Sequence, residues 1–269
     1  MPRTTIITPV YNGAALLAET IASILAQDDS DFEYLIVDDG STDASMEIAN
    51  AAAAQDARIR VLQMPRNSGG PAGPRNLGIR EAGADWVAFC DADDLWAPSK
   101  LRLQHDLAGR VEASIYGVTL QNFNHGDTIE PLAAPVGTPE SDIIPISRML
   151  VKNWIGLSGA MVPKALFHTV GFFNEERAYA AVEDYDMWLR LMGTTGLPAV
   201  KLKAPLVHYR ILPGSISRNK FKHLVKVMRV QQAYFESKGQ GTQFRITLPA
   251  RILRYAAVSI VTRIFIGKL

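Results

Sequence analysis

The first hundred residues alternate strand-length apolar runs with amphipathic stretches, and few folds accept that alternation. Residues 4–8, 32–37, 59–63 and 86–90 have strand length and composition. Between them, 14–27 places Leu16, Leu17, Ile21, Ile24 and Leu25 at helical spacing. Residues 41–55 form an Ala-rich stretch with Ser41 or Thr42 as helix cap, and 75–82 follows a loop rich in glycine and proline. This order predicts an α/β fold, a sheet with helices packed on it. The run Trp86-Val87-Ala88-Phe89-Cys90 is apolar throughout, as a buried parallel strand requires. Ligands of such sheets bind beyond the carboxyl ends of the strands. The residues that follow each run are therefore the ones to examine.

The second half is less regular. Strands are expected at 114–122, 157–162 and 200–207, with helical segments at 146–151, 163–169, 183–192 and 220–237. A loop rich in proline and glycine spans 124–142. No internal repeat is visible. Of the 269 residues 48% are hydrophobic, enough for a real core, and the net charge of +1 argues against nucleic-acid binding. One cysteine, Cys90, excludes an intrachain disulfide and suits a reducing compartment. The chain opens without a signal-peptide pattern, so a cytoplasmic location is expected. Residues 245–269 differ from the rest. They are apolar, lack acids, and carry Arg245, Arg251, Arg254, Arg263 and Lys268. Either a helix lying on an anionic membrane or one packing on protein fits that composition.

The strand ends carry the chemistry. After 86–90 come Asp91-Ala92-Asp93-Asp94. Carboxylates this close repel, and a hard divalent cation shared with phosphates relieves them. A solvated acidic turn ahead of a helix at 97–107 is the other reading, with Asp94 near its N-terminus. Residues 4–8 lead into Pro9-Val10-Tyr11-Asn12-Gly13, where a dinucleotide-binding domain would place its glycine fingerprint. Tyr11 there either stacks on a flat base or closes the core. Residues 32–37 lead into Asp38-Asp39-Gly40-Ser41-Thr42-Asp43; Asp38 and Asp39, ahead of the turn, can accept a ring N–H such as that of uracil, while Asp43 suits the first turn of the helix. Arg75, after the glycine-rich loop, offers a planar fork to phosphate oxygens. Glu183-Asp184-Tyr185-Asp186 heads a helix on which Asp186 and Arg190 can pair four residues apart.

Taken together, Thr8-Pro9-Val10-Tyr11-Asn12, Asp38-Asp39-Gly40-Ser41-Thr42-Asp43, Arg75-Asn76-x-Gly78, Asp91-Ala92-Asp93-Asp94 and the motif at 183–190 resemble the family 2 glycosyltransferases of the GT-A fold. The resemblance covers about residues 3–218. It implies a mixed sheet flanked by helices: a donor-binding half at 1–110, an acceptor half at 111–218, and a helical extension at 219–269. It further implies donor contacts from Pro9, Tyr11, Asp39, Arg75, Asp91, Asp93 and Arg210, and a divalent metal, Mn²⁺ or Mg²⁺, on Asp91 and Asp93 with His208 as a further ligand. Asp184, or alternatively Glu183, matches the position of the base in an inverting transfer. The donor implied is a nucleotide-diphosphate sugar, most naturally a UDP-sugar, and the acceptor a hydroxyl of a glycan or lipid-linked acceptor.

Processive relatives carry Gln-x-x-Arg-Trp, and no tryptophan here follows an arginine, so transfer of one sugar is expected. Two alternatives stay open: transfer to a polyprenyl phosphate, and a non-catalytic module that binds sugar nucleotides or glycans.

Overall fold

The computed structural model describes residues 1–132, 135, 137–212 and 220–265. Lys268 lies outside the described residues, as does the side chain of Arg263. The described residues form one nine-stranded mixed sheet. Its parallel part is ordered β3–β2–β1–β4, with β1 at Thr4–Val10, β2 at Phe32–Asp38, β3 at Ile59–Gln63 and β4 at Trp86–Phe89. Beyond β4 the sheet is mixed: β8 (Met161–Pro163) is antiparallel to both β4 and β6 (Ile115–Asn124). Next comes β9 (Ala199–Ile211), parallel to β6 and antiparallel to β5 (Leu95–Trp96) and β7 (Ser141–Ile144).

Helices cover both faces because the strands are apolar on both. Ile7, Leu35, Val37, Val87 and Phe89 point into one core, while Ile6, Tyr34, Ile36, Ala88 and Cys90 point into the other. A two-residue side-chain period sends neighbours to opposite sides. Helices α1 (Ala14–Leu25), α2 (Ser45–Gln55) and α4 (Lys100–Ala108) lie on the second face. On the first lie α3 (Ala72–Glu81), α6 (Lys164–Val170) and α7 (Glu183–Thr195), with α5 (Ile146–Met149) packed beside α7. The buried threonine hydroxyls of β1 all find partners: Thr4 meets His105 Nε2 at 2.7 Å, Thr5 donates to Glu33, and Thr8 accepts from Tyr34 at 3.0 Å.

Several boundaries differ from expectation for identifiable reasons. Helix α2 starts at Ser45 and not at 41, because Ser41, Thr42 and Asp43 bond to the β1–α1 loop. Helix α4 starts at Lys100, because Leu95 and Trp96 pair with β9 first. Residues 157–159 form a 3-10 turn ahead of β8, and Gly156 and Gly159 press against Leu120 there.

The C-terminal helices α8 (Lys220–Ser237) and α9 (Gly241–Phe265) pack on the body. Val227, Met228 and Val230 enter the core beside α7, and Phe244 is buried with its ring 5.8 Å from Phe235. Phe244, Leu248, Ile252 and Tyr255 thus form a body-facing stripe on α9, whereas Ile246, Leu253 and Ile260 are exposed at a seven-residue spacing. Two apolar faces on one helix explain why its sequence lacks a single clean amphipathic side. Among the described residues no helix is long and apolar enough to cross a membrane.

Helix α3 sits unusually close to β1, since a Cβ on Gly78 would lie 2.7 Å from Ile7 Cγ2. Gly78→Ala should therefore destabilise the protein by about 1–3 kcal/mol through overpacking. Urea denaturation measures this, and a loss under about 0.5 kcal/mol would show that the layer yields easily.

Candidate active site

The β1–β4 step is where the strand order reverses, and the carboxyl ends of β1, β2 and β4 open there onto one cleft. Register fixes the arrangement: Val10 lies opposite Asp38, and Ile7 opposite Phe89. Tyr11, Asp39, Asp91 and Asp93 consequently emerge on one edge. The cleft encloses about 560 Å³ and is lined by Pro9, Tyr11, Asp39, Arg75, Asp91 and Asp93, among others. Of the donor residues expected from the sequence, all but Arg210 line it.

Tyr11 is 54% exposed at the mouth, so it is free to stack and does not close the core. Its loop is pinned from the neighbouring strand's motif. Asn12 donates its N–H to Ser41 Oγ, and its Oδ1 accepts from the Thr42 N–H at 2.8 Å. Gly13 and Ala14 donate to Ser45 Oγ and Asp43. The positive φ of Asn12 suits a residue that tolerates the left-handed region. Sequence reasoning assigned Ser41, Thr42 and Asp43 to their own helix and missed this clamp. The pairing of two strand-end motifs was the available signal. Asp38 is a turn former, accepting the N–H groups of Gly40 and Ser41. Asp39 is buried and holds the glycine-rich loop by accepting from Ser68 N–H and Oγ at 2.8 and 2.9 Å; burial raises its pKa.

Arg75 is the hub. It is 3% exposed, and its Nη2 donates to Asp91 at 2.6 Å while its Nη1 donates to Glu183 at 2.7 Å. The guanidinium thereby ties the end of β4 to the start of α7. Asn76, beside it, fixes the segment ahead of α7: its amide donates to Phe173 O and Glu175, and its Oδ1 accepts from Phe173 N–H.

Glu183 and Asp184 adopt different roles. Glu183 is committed to the buried ion pair. Asp184 accepts from Asn153 Nδ2 at 2.8 Å and from the Tyr185 N–H at 2.7 Å. Burial, followed by the charge of Glu183, lifts its pKa to about 7. A carboxylate so placed and so tuned suits proton abstraction near neutral pH. Asp186 pairs with Arg190 at 2.9 Å, as the helix spacing implied.

Asp91 and Asp93 face the cleft, and burial with the nearby charge of Asp91 raises the Asp93 carboxyl to about 6. Negative charge in excess of what the neighbouring arginines offset is the condition a hard dication relieves, so this pair fits one. Asp94 is fully buried and does not cap α4. Its Oδ1 accepts the Arg210 N–H at 2.9 Å, locking β9 to the acidic turn.

The β9 residues depart from expectation. His208 Nε2 meets Glu130 O at 3.1 Å and its ring stands edge-on to Phe123. Among the described residues no group of three His, Cys, Asp or Glu side chains could hold a metal. His208 belongs to no such group. Strand alternation turns it and Arg210 to one side and Tyr209 to the other, where Tyr209 feels the charges of Asp91, Asp93, Asp94 and Asp184. Arg210 is held in the strand and not on a mobile loop. It donates to the Asp93 carbonyl at 2.9 Å and to Glu19 at 2.7 Å.

The sequence profile named Glycosyl transferase family 2 matches residues 5–162, more than half of the chain. The chain belongs to this family. It is 27% identical over 232 residues to the UDP-Glc:alpha-D-GlcNAc-diphosphoundecaprenol beta-1,3-glucosyltransferase WfgD of Escherichia coli, covering 86% of each chain. Other relatives act in, or are assigned to, bacterial polysaccharide biosynthesis. Some are much longer, and this chain spans about a third of them. Among solved structures, Staphylococcus aureus TarS in complex with UDP-GlcNAc superposes with a TM-score of 0.66 at 20% identity, over 87% of this chain and 66% of that one. The mannosyltransferase PcManGT of Pyrobaculum calidifontis, in complex with GDP-Man and Mn²⁺, gives 0.62 at 17% identity, over 98% and 76%. The fold is GT-A, and the family makes the protein a glycosyltransferase.

Arg75→Met should cost about 3–5 kcal/mol of stability, because it strands Glu183 in a buried site without its partner. Urea denaturation of the variant checks this; a loss below about 1 kcal/mol would mean that the hub is not structural.

Proposed function

We propose that the protein moves one sugar, with inversion, from a nucleotide-diphosphate sugar, UDP-linked by preference, to a hydroxyl of a glycan or lipid-linked acceptor in polysaccharide or lipid-linked glycan assembly. The observation that carries this reading is the pairing of a cleft floored by Asp91 and Asp93 with a separate, oriented carboxylate of raised pKa, Asp184. Tyr11 stacks on the donor base, and Asp39 and its loop line the base end. Asp91 and Asp93 would hold a divalent cation, Mn²⁺ or Mg²⁺, which when bound supplies positive charge for the leaving diphosphate. Arg75 orients Asp91 and keeps the donor and acceptor segments at fixed separation. Asp184, aimed by Asn153, takes the proton from the acceptor hydroxyl as its oxygen attacks the anomeric carbon from the face opposite the diphosphate.

A polyprenyl phosphate acceptor would need no such base, because a phosphate is already ionised at neutral pH. That favours a hydroxyl. A binding module without catalysis would have no use for a tuned carboxylate, and cation-dependent donor hydrolysis separates it from an enzyme. Association with a membrane surface is supported by the exposed Ile246, Leu253 and Ile260 of α9 beside Arg245 and Arg254. Sedimentation with phosphatidylglycerol vesicles at low salt tests it, and protein left in the supernatant overturns it.

Turnover should disappear with excess chelator; full activity there would remove the metal from the scheme. Asp184→Asn should keep UDP binding within about twofold and lower turnover by about 10²–10⁴-fold. Below about pH 7 Asp184 is protonated and cannot accept a proton, so kcat/KM should rise about tenfold per pH unit up to that value and then level off. Normal transfer by Asp184→Asn together with loss in Glu183→Gln would reassign the base to Glu183.

A further inference from the structure

A second cavity lies on the acceptor side, between the segment following α5 and the helix α9. It encloses about 350 Å³ and is lined by Leu150, Val151, Thr247, Ala250, Arg251 and Arg254, among others. Neither wall carries an acid: residues 146–156 contribute Arg148 and Lys152, and residues 241–261 contribute Arg245, Arg251 and Arg254. Lys201 belongs to the same field, coupled electrostatically to Arg148 and Lys152. The acid at hand, Asp142, is already paired with Arg148 at 2.7 Å.

Arg251 is preorganised. Its Nε donates to Thr247 Oγ1 at 2.9 Å, and its guanidinium lies over the Phe235 ring at 4.2 Å from the centroid. With Nε engaged, its terminal nitrogens are the donors left for a ligand, in the fork geometry that matches phosphate oxygens. Arg254, one turn on, is exposed.

The cavity wall is also close in sequence to the partner of Asp184: Val151 stands two residues before Asn153, which donates to Asp184. On the other side Arg251 acts on Tyr185, which neighbours Asp184 in sequence and donates its hydroxyl to Met149 O at 2.9 Å.

We propose that this basic groove binds the diphosphate of a lipid-linked sugar acceptor through Arg251 and Arg254, setting the acceptor sugar against Asp184. The proposal rests on the glycosyltransferase reading above and adds the site for the acceptor's anionic link. The apolar wall at Leu150 and Val151 takes the first carbons of the lipid. The exposed stripe of Ile246, Leu253 and Ile260 lies on the same helix, so the lipid can continue into a bilayer beneath α9.

The test uses the full chain with UDP and Mn²⁺ saturating the donor cleft, and titrates geranyl diphosphate as a soluble probe by calorimetry. Wild type should bind it, and Arg251→Gln/Arg254→Gln should weaken binding by about tenfold or more, as loss of charge-assisted contacts predicts, with UDP affinity unchanged. The exposed Arg254→Gln alone spares the stacking of Arg251 on Phe235 and should show an intermediate loss. Equal binding by wild type and the double variant overturns the proposal. So does failure of wild type to bind geranyl diphosphate while the arginines govern only sedimentation with phosphatidylglycerol vesicles, which would assign them to the membrane surface. If UDP binding and donor hydrolysis fail in wild type, the glycosyltransferase reading fails first, and the two failures remain distinct.

Discussion

A buried guanidinium holds this protein's two acidic segments together. Arg75 reaches from α3 to Asp91 on one side and Glu183 on the other, at 2.6 and 2.7 Å. Two carboxylates taken from water into that position would repel; around a shared cation they define a fixed distance between the end of β4 and the start of α7. The arrangement depends in turn on α3 lying close to β1, which Gly78 permits by offering no side chain to Ile7. Backbone packing, an ion-pair hub and the separation of the cleft at Asp91 from the start of α7 are thus one chain of cause.

The same hub divides the labour of neighbouring residues. Glu183 and Asp184 are adjacent carboxylates on one helix turn, yet one is consumed by Arg75 while the other is aimed by Asn153 and held near neutrality. Asp91, Asp93 and Asp94 divide likewise: the first two face the cleft, and Asp94 turns inward to the backbone of Arg210. Environment, not residue type, separates structural acids from chemical ones.

The C-terminal helices extend this logic to the acceptor side. By packing on α7 they bury the far flank of that helix and bring arginines of α9 near Leu150 and Val151, which precede Asn153. A segment that looks like an appendage in sequence therefore walls part of the molecule's second cavity.

Much of this was legible in the sequence. Strand and helix alternation, the acidic turn after 86–90, Tyr11 after the first strand and Arg75 after the glycine loop all follow from local periodicity and from residue chemistry at strand ends. Such features need only near neighbours in the chain. What the sequence could not decide was direction and partnership across long separations. His208 and Tyr209 are adjacent, and only the pairing of β9 with β5 and β6 determines which of them faces the aspartates. Ser41 and Thr42 read as a helix cap until the loop after the neighbouring strand presents Asn12 as their partner. The two apolar faces of α9 blur into one diffuse pattern until the body covers the first. In each case the deciding energy is a contact between residues far apart in sequence, and that contact exists only once the chain is folded.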